Sequence, residues 1–357
     1  MCDVLIVGGG PAGLMAADYL SKLNYSITLV DQMPTMGRKF LMAGKSGLNL
    51  TKSEPFEKFL NNFPESTPQL LSALKNFTPD DVQTWAISLG INLFTGSTGR
   101  VFPTHMKASP LLRAWLSRLD KRGVTRRHKM KAISLNNMSL LFDTENGKEE
   151  ISAKVILFAM GGASWRRLGS DAKWIKWLPN VKSEKFSASN VGLKINWSNH
   201  INKYFGEPIK AISLRSGKIQ SQGEIVITQS GIEGGGIYSL SPAIRKGEAV
   251  VLDLLPNWNE KQLSDALQKP LTKASWSNHL RKVFKLNNAK QILLKEFSSS
   301  SFSKEQLLVD LKSLRIKHEG LDEIDKAIST ACDFDQLDHN RMLSKRPGIF
   351  FAGEMLN

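Results

Sequence analysis

Two cysteines, Cys2 and Cys332, are all that 357 residues contain. They exclude a disulfide framework and a CxxC redox or metal centre, so no metal site is expected and a reducing, cytoplasmic setting suits the chain. Neither cysteine sits in a context that would activate it as a nucleophile. Long apolar runs are also missing. Nothing approaches the roughly 18 residues of a membrane-spanning helix, and no membrane partner is expected. The first strand is entered by Asp3, which leaves no length for a removable signal sequence. Acidic residues are scarce: 33 Asp and Glu stand against 48 Lys and Arg, giving a formal net charge of +15. That balance can gather nucleic acid or anionic substrates. The cations are dispersed, however. The densest cluster, Lys121-Arg122 and Arg126-Arg127-His128-Lys129 with Lys131, reads as a helix end followed by a strand. Most of the charge therefore reads as solvated surface, and nucleic acid stays as the alternative partner beside a small-molecule substrate. There is no internal repeat.

What is present begins at residue 3. Asp3-Val-Leu-Ile-Val7 is an apolar strand, Gly8-Gly9-Gly10-Pro11-Ala12-Gly13 a glycine turn, and Leu14, Ala17 and Leu20 have helical core spacing. Ile27-Thr28-Leu29-Val30 is a second strand, ending on Asp31. This is the context a GxGxxG motif needs to hold a dinucleotide. Gly8 allows the sharp turn, Gly10 lets a pyrophosphate approach the backbone, and Gly13 lets the helix pack on the sheet. The helix N-terminus offers unpaired N–H groups, and Asp31 can accept from a ribose hydroxyl. A glycine turn in an ordinary α/β domain is the plainer alternative.

Residues 34–52 read as a long loop, rich in glycine and suited to wrapping a ligand. Helices are predicted over 56–74, over 80–89 behind Pro79, and over 107–121, where Leu111, Leu112, Trp115, Leu116 and Leu119 share a face. Residues 129–135 and 139–143 read as a hairpin around Asn136-Asn137, and 151–159 as a buried parallel strand. Short strands follow at 191–195, 211–214, 224–228 and 249–254. Residues 259–316 read as mostly helical, with a leucine stripe that belongs to a core. The final apolar strand, 348–354, ends in Ala-Gly-Glu.

Four stretches carry a resemblance to one family. They are Gly37-Arg38-Lys39-Phe40-Leu41-Met42-Ala43-Gly44-Lys45-Ser46-Gly47-Leu48-Asn49-Leu50-Thr51; Thr98-Gly99-Arg100-Val101-Phe102-Pro103; Met160-Gly161-Gly162-Ala163-Ser164-Trp165 with Leu168-Gly169-Ser170-Asp171; and Ser230-Gly231-Ile232-Glu233-Gly234-Gly235-Gly236-Ile237-Tyr238. With these, the chain resembles the BaiN/YhiN-like NAD(P)/FAD-dependent oxidoreductases, over nearly its whole length. The resemblance implies an α/β fold: a Rossmann-like FAD-binding domain (1–188 and 340–357), an inserted β-rich domain (189–258 and 320–339) and a helical subdomain (259–319). It implies FAD as cofactor, with NAD(P)H as a transient reductant, since no second GxGxxG unit is evident.

The resemblance also places residues. Gly8, Gly10, Pro11, Ala12 and Gly13 would hold the pyrophosphate, with Asp31 and the adjoining Gln32 at the adenosine ribose. Arg38, Lys39, Ser46, Asn49 and Thr51 would wrap the flavin. Met130 would lie near adenine. Ala159, Met160 and Gly161 would form a second signature beside the cofactor, and Gly353 and Glu354 would approach the ribityl chain. Gly234-Gly235-Gly236 is expected near the substrate or flavin face. No residue stands out as a general acid or base, and His105 and Tyr238 are the candidates. Related chains continue past Gly353-Glu354-Met355-Leu356 into a glycine turn and a helix, and carry a Gly-Gly pair where Ser329-Thr-Ala-Cys332-Asp333 stands. Weakened FAD affinity is therefore expected.

Overall fold

Every residue of Val4-Leu5-Ile6-Val7 is apolar because the strand they form is covered on both faces. Val4 and Ile6 belong to one hydrophobic cluster, Leu5 and Val7 to another. This is the pattern of a parallel strand buried between layers. The structure, a computed structural model, describes residues 1–44, 47–63, 66–178, 187–188, 191–268, 276–298, 303–322, 328–329 and 336–356. The chain divides into two compact units, Met1–Phe186 with Thr330–Asn357, and Ser187–Ser329.

In the first unit, β1 (Cys2–Val7), α1 (Pro11–Leu20) and β2 (Ile27–Val30) form the opening crossover. Next come α2 (Arg38–Ala43), α3 (Ala108–Lys121), β3 (Thr125–Arg127), β4 (Lys131–Asn136), β5 (Ser139–Thr144), β6 (Gly147–Phe158) and β7 (Ile349–Phe351). The seven described strands make one sheet, ordered β3-β2-β1-β6-β5-β4, with β7 also on β6. β6 has two halves. Residues 147–152 pair antiparallel with β5, and 153–158 pair parallel with β1. Its last three residues also pair parallel with β7. The predicted hairpin is present, with Asn137 at φ +51° in its turn.

α3 lays Leu111, Leu112, Trp115 and Leu119 into the cluster shared with β1 and α1. Against this face lies a buried charge. Asp18 of α1 is 2% exposed. Its carboxylate accepts from Trp85 Nε1 (3.0 Å), Arg122 Nη1 (2.6 Å) and Arg118 Nη1 (3.4 Å). Arg118 and Arg122 are one turn apart on α3, so they present one face to it.

Two predicted segments differ. The loop expected over 34–52 contains α2 and the short strand Thr51–Lys52. Gly37, at φ +71°, starts α2, and the six residues after it contain no glycine or proline. The helix expected over 56–74 is two helices, Phe56–Leu60 and Pro68–Asn76. Pro68 has no N–H to continue a helix through it, and Thr67 caps the new one through Leu70 N–H. The helix at Pro79–Ser88 carries a capping box between Thr78 and Asp81.

In the second unit, six described strands form an antiparallel sheet. Its order is Leu193–Lys194, Gly231–Glu233, Ile219–Ile227, Pro208–Ser216, Val250–Asp253 and Leu314–Ile316. Helices Glu260–Gln268, Trp276–Phe284, Asn288–Phe297 and Lys304–Ser313 follow the predicted leucine stripe. Leu263, Leu293, Leu307 and Leu311 share one core with Ile212, Leu214 and Leu252 of the sheet, so the strands of 189–258 and the helices of 259–319 pack as one body. Leu314–Ile316 falls in a stretch predicted as helix. Pairing with Val250–Leu252 overrides the leucine periodicity there.

His318 accepts a hydrogen bond at Nδ1 from Gly320 N–H (3.0 Å). That requires a neutral ring, and burial lowers its pKa below the ordinary 6.5. A histidine held neutral contributes stability above its unfolded pKa, and that contribution is lost as pH falls through the lower folded value. Denaturant titrations should therefore show stability falling as pH drops below 6.5. A His318→Gln variant should lack that step, and an unchanged pH profile would overturn the assignment.

Candidate functional site

The glycine turn is built as the motif requires. Gly8 takes φ +113°, and a Cβ there would meet Ala159 O at 2.3 Å. A Cβ on Gly13 would sit 1.9 Å from Gly8 O, so α1 packs on the end of β1 with no room for a methyl. Gly10 differs: nothing lies within 4 Å of its missing Cβ. Gly10 is the N-cap of α1, with no side chain capping the helix, and Pro11 follows at its first position. The start of α1 borders a cavity of about 580 Å³ that Gly8 to Ala12 help to line.

Asp31, at the end of β2, lines the same cavity and fixes the turn. Its carboxylate accepts from Gly9 N–H (2.6 Å) and Met33 N–H (2.7 Å). Burial pushes its pKa up, against the pull of these two donors. A carboxylate has about four acceptor positions, so two remain for a ligand. Met130 is buried in the cavity wall, and its N–H donates to Asp31 O (2.9 Å). Gln32 also lines the wall and donates to Gly169 O (2.5 Å).

α2 brings Arg38 and Lys39 to the cavity. Arg38 Nη1 donates to Thr35 Oγ1 (3.3 Å), but its buried Nε has no hydrogen-bond partner. Lys39 pairs with Glu354 and reaches Ser170 Oγ (3.4 Å). Ser170 in turn donates to Gly162 O (2.9 Å). Gly353 and Glu354 close this side. A Cβ on Gly353, at φ +74°, would meet Ala12 Cβ at 2.6 Å, so the segment after β7 lies directly on the start of α1. Ala159, Met160 and Gly161, after β6, also line the cavity.

Some expected residues lie elsewhere. Gly13 supports the turn from behind. Asn49 is exposed and Thr51 pairs with Val101 in the small sheet; neither lines the cavity. Ser46 lies outside the described residues, as do Cys332 and Asp333. His105 is exposed and does not line the cavity. Tyr238 ends the short helix Gly235–Tyr238 of the second unit, whose N-cap is Gly234 at φ +119°. Other lining residues carried no expectation, Trp174 and Trp177 among them. Trp174 Nε1 donates to Gly161 O (2.9 Å), and Trp177 stands edge-on to Phe158. Their spacing of three was a usable signal, because a 3₁₀ turn stacks such residues on one face.

A parallel sheet with a glycine turn, an acid ending its second strand and a cavity across their carboxyl ends defines a Rossmann-type dinucleotide fold. The chain belongs to the HI0933-like protein Rossmann domain family, which it matches over residues 2–357. It is similar to the ribosomal RNA dihydrouridine synthase of Haemophilus influenzae, 25% identical over 287 residues, covering 74% of this chain and 67% of that one. The ribosomal RNA dihydrouridine synthase of Escherichia coli is 22% identical over 371 residues, covering 99% and 92%. Among solved structures, a flavocytochrome c3 fumarate reductase shares the fold, with TM-score 0.54, 15% identity and coverage of 100% of this chain and 73% of that one. A 3-ketosteroid dehydrogenase from Rhodococcus jostii does so with TM-score 0.52, 12% identity and coverage of 99% and 90%. Among the described residues no helix is long and apolar enough to cross a membrane.

Proposed function

We propose that the chain holds FAD in this cavity and works as an FAD-dependent oxidoreductase that reduces a uridine base in RNA. The observation that carries the cofactor assignment is Gly10, open to a cavity of about 580 Å³ at the N-terminus of α1. The residues fit the group. The α1 N-terminus suits a pyrophosphate, and Asp31 keeps acceptor capacity for a ribose. Arg38 Nε, buried without a partner, suits an acceptor atom of the ligand. When bound, FAD supplies the two-electron transfer. The protein binds and orients it, Met130, Trp174 and Trp177 keep water from the wall, and Lys39 and Glu354 hold opposite charges beside Ser170.

The names of the curated relatives and the net charge of +15 favour RNA as substrate. Reduction of the uracil C5–C6 double bond consumes one NAD(P)H and one proton and yields dihydrouracil and NAD(P)⁺. NADH or NADPH would visit the site transiently.

The test has two parts. Purified protein titrated with FAD should show saturable flavin binding, and NADH or NADPH should bleach the bound flavin anaerobically. Protein that binds no FAD in the titration would end the cofactor reading. Ribosomal RNA from cells lacking the protein should gain dihydrouridine, by nucleoside mass spectrometry, when incubated with enzyme and reductant. Flavin that is reduced while RNA stays unchanged would refute the RNA substrate and leave a small-molecule one. Arg38→Ala should weaken FAD binding roughly tenfold or more, the effect of losing a charge-assisted hydrogen bond. Unchanged affinity by titration would remove Arg38 from the site.

A further inference from the structure

The small sheet of the first unit consists of Thr51–Lys52, Arg100–Pro103 and Leu93–Thr95, all antiparallel. Its register sorts its side chains. Phe94 stands opposite Phe102, and Lys52 opposite Arg100. Arg100 and Phe102 are two residues apart, so all four side chains share one face. Val101 and Pro103 are buried on the other. The two rings lie with centroids 5.7 Å apart and planes 25° apart. Phe94 is nevertheless 42% exposed, and Met106, three residues after Pro103, 37%. Gly47 makes room for Met106: a Cβ there would lie 2.7 Å from Met106 Cε and 3.9 Å from Phe102 Cε1. The methionine methyl and the edge of the Phe102 ring thus both lie near Gly47.

An exposed ring paired with a half-buried one on a sheet face that also carries cations is what unpaired bases and their phosphates require. Among the described residues Arg100 makes no ion pair, whereas Lys52 is engaged by Glu54 at 2.7 Å. The face is also tied to the cavity. Leu50 N–H donates to Val101 O (2.9 Å) and Leu48 N–H to Met106 O (2.8 Å). Residues 47–51 therefore bind this sheet to the chain emerging from α2, which carries Arg38 and Lys39 to the cavity.

We propose that the face formed by Phe94, Phe102 and Arg100 is a stacking platform for unpaired bases of the RNA substrate. This rests on the RNA reading above and adds where the strand is gripped. Bases stack on the rings, Arg100 meets a phosphate, and neither ring lines the cofactor cavity.

The probe is a labelled single-stranded oligouridylate, bound to the full chain across a salt series. Phe94→Ala and Phe102→Ala should each weaken binding about tenfold, the scale of one lost base–aromatic stack, with the salt dependence unchanged. Arg100→Gln should reduce the slope of log K against log salt by about 0.7, the loss of one phosphate contact. Phe94→Trp should bind at least as well as the parent, which separates stacking from misfolding. All four variants should keep the parent's FAD affinity. If the parent binds and the two alanine variants bind equally, the platform is overturned while the RNA reading stands. If the alanine variants change sedimentation from dimer to monomer and leave RNA affinity alone, the face joins two copies and the platform is overturned. If the parent does not bind at low salt and ribosomal RNA gains no dihydrouridine, both fall together.

Discussion

Asp18→Ala is expected to destabilise the folded chain by about 3–5 kcal/mol, the cost of breaking a buried ionic network by removing one partner. Asp18 is nearly inaccessible and serves three donors at once, from Trp85, Arg118 and Arg122. Removing the carboxylate leaves the Trp85 indole N–H unsatisfied and two guanidinium groups against the apolar face of α3. The arginines are 17% and 32% exposed and can partly rehydrate, so the lower part of the range is favoured. Asp18→Asn keeps one acceptor and should cost less than alanine. The measurement is denaturant unfolding of all three proteins. Tryptophan emission reports it locally, because Trp85 and Trp115 lie 4.6 Å apart beside the network. A loss below about 1 kcal/mol would place the network among ordinary surface ion pairs.

Gly10→Ala and Gly13→Ala should separate binding from folding, although they lie three residues apart. An alanine methyl at Gly13 meets Gly8 O at 1.9 Å, and a backbone atom cannot rotate away. α1 must lift from β1, at an overpacking cost of about 1–3 kcal/mol without any cofactor. FAD binding should be lost with it. The Gly10 methyl meets no protein atom within 4 Å, so the apoprotein should melt at the parent temperature. FAD should then bind tenfold or more weakly, about 1.4 kcal/mol or more. Melts with and without FAD check both. Parent-like FAD affinity in Gly10→Ala would move the pyrophosphate away from this turn.

The turn could be read from the sequence because its signature is local. Gly8, Gly10 and Gly13 fall within six residues, although Gly8 is also held against the distant Ala159 O, and Asp31 ends a strand recognisable from its own composition. The walls were less legible. Trp174 and Trp177 reach the cavity through a 3₁₀ turn, and nothing in the sequence around Asp18 marks it as buried. Its role depends on Trp85, Arg118 and Arg122, about 70 to 100 positions away. α2 was hidden by the glycines on either side of it. Asn49 and Thr51 belong to the same stretch as Arg38 and Lys39, yet they do not line the cavity. Contiguity in sequence did not carry over to contiguity in the site. The strand Leu314–Ile316 was masked by leucine spacing that suited the helix before it.

β1 also sets the order in which the site can form. Its partner on one side, β2, follows within about two dozen residues. Its partner on the other, β6, comes some 150 residues later, and β6 awaits β7 nearly 200 residues further on. Closing a loop costs entropy before any contact repays it, so β1, α1 and β2 can associate early while the rest of the sheet closes slowly. The glycine turn belongs to the early part. Gly161, Gly353 and Glu354 belong to the slow part. The glycine turn thus rests on a local pairing, whereas the opposite wall of the cavity waits on the long-range pairing of β7 with β6.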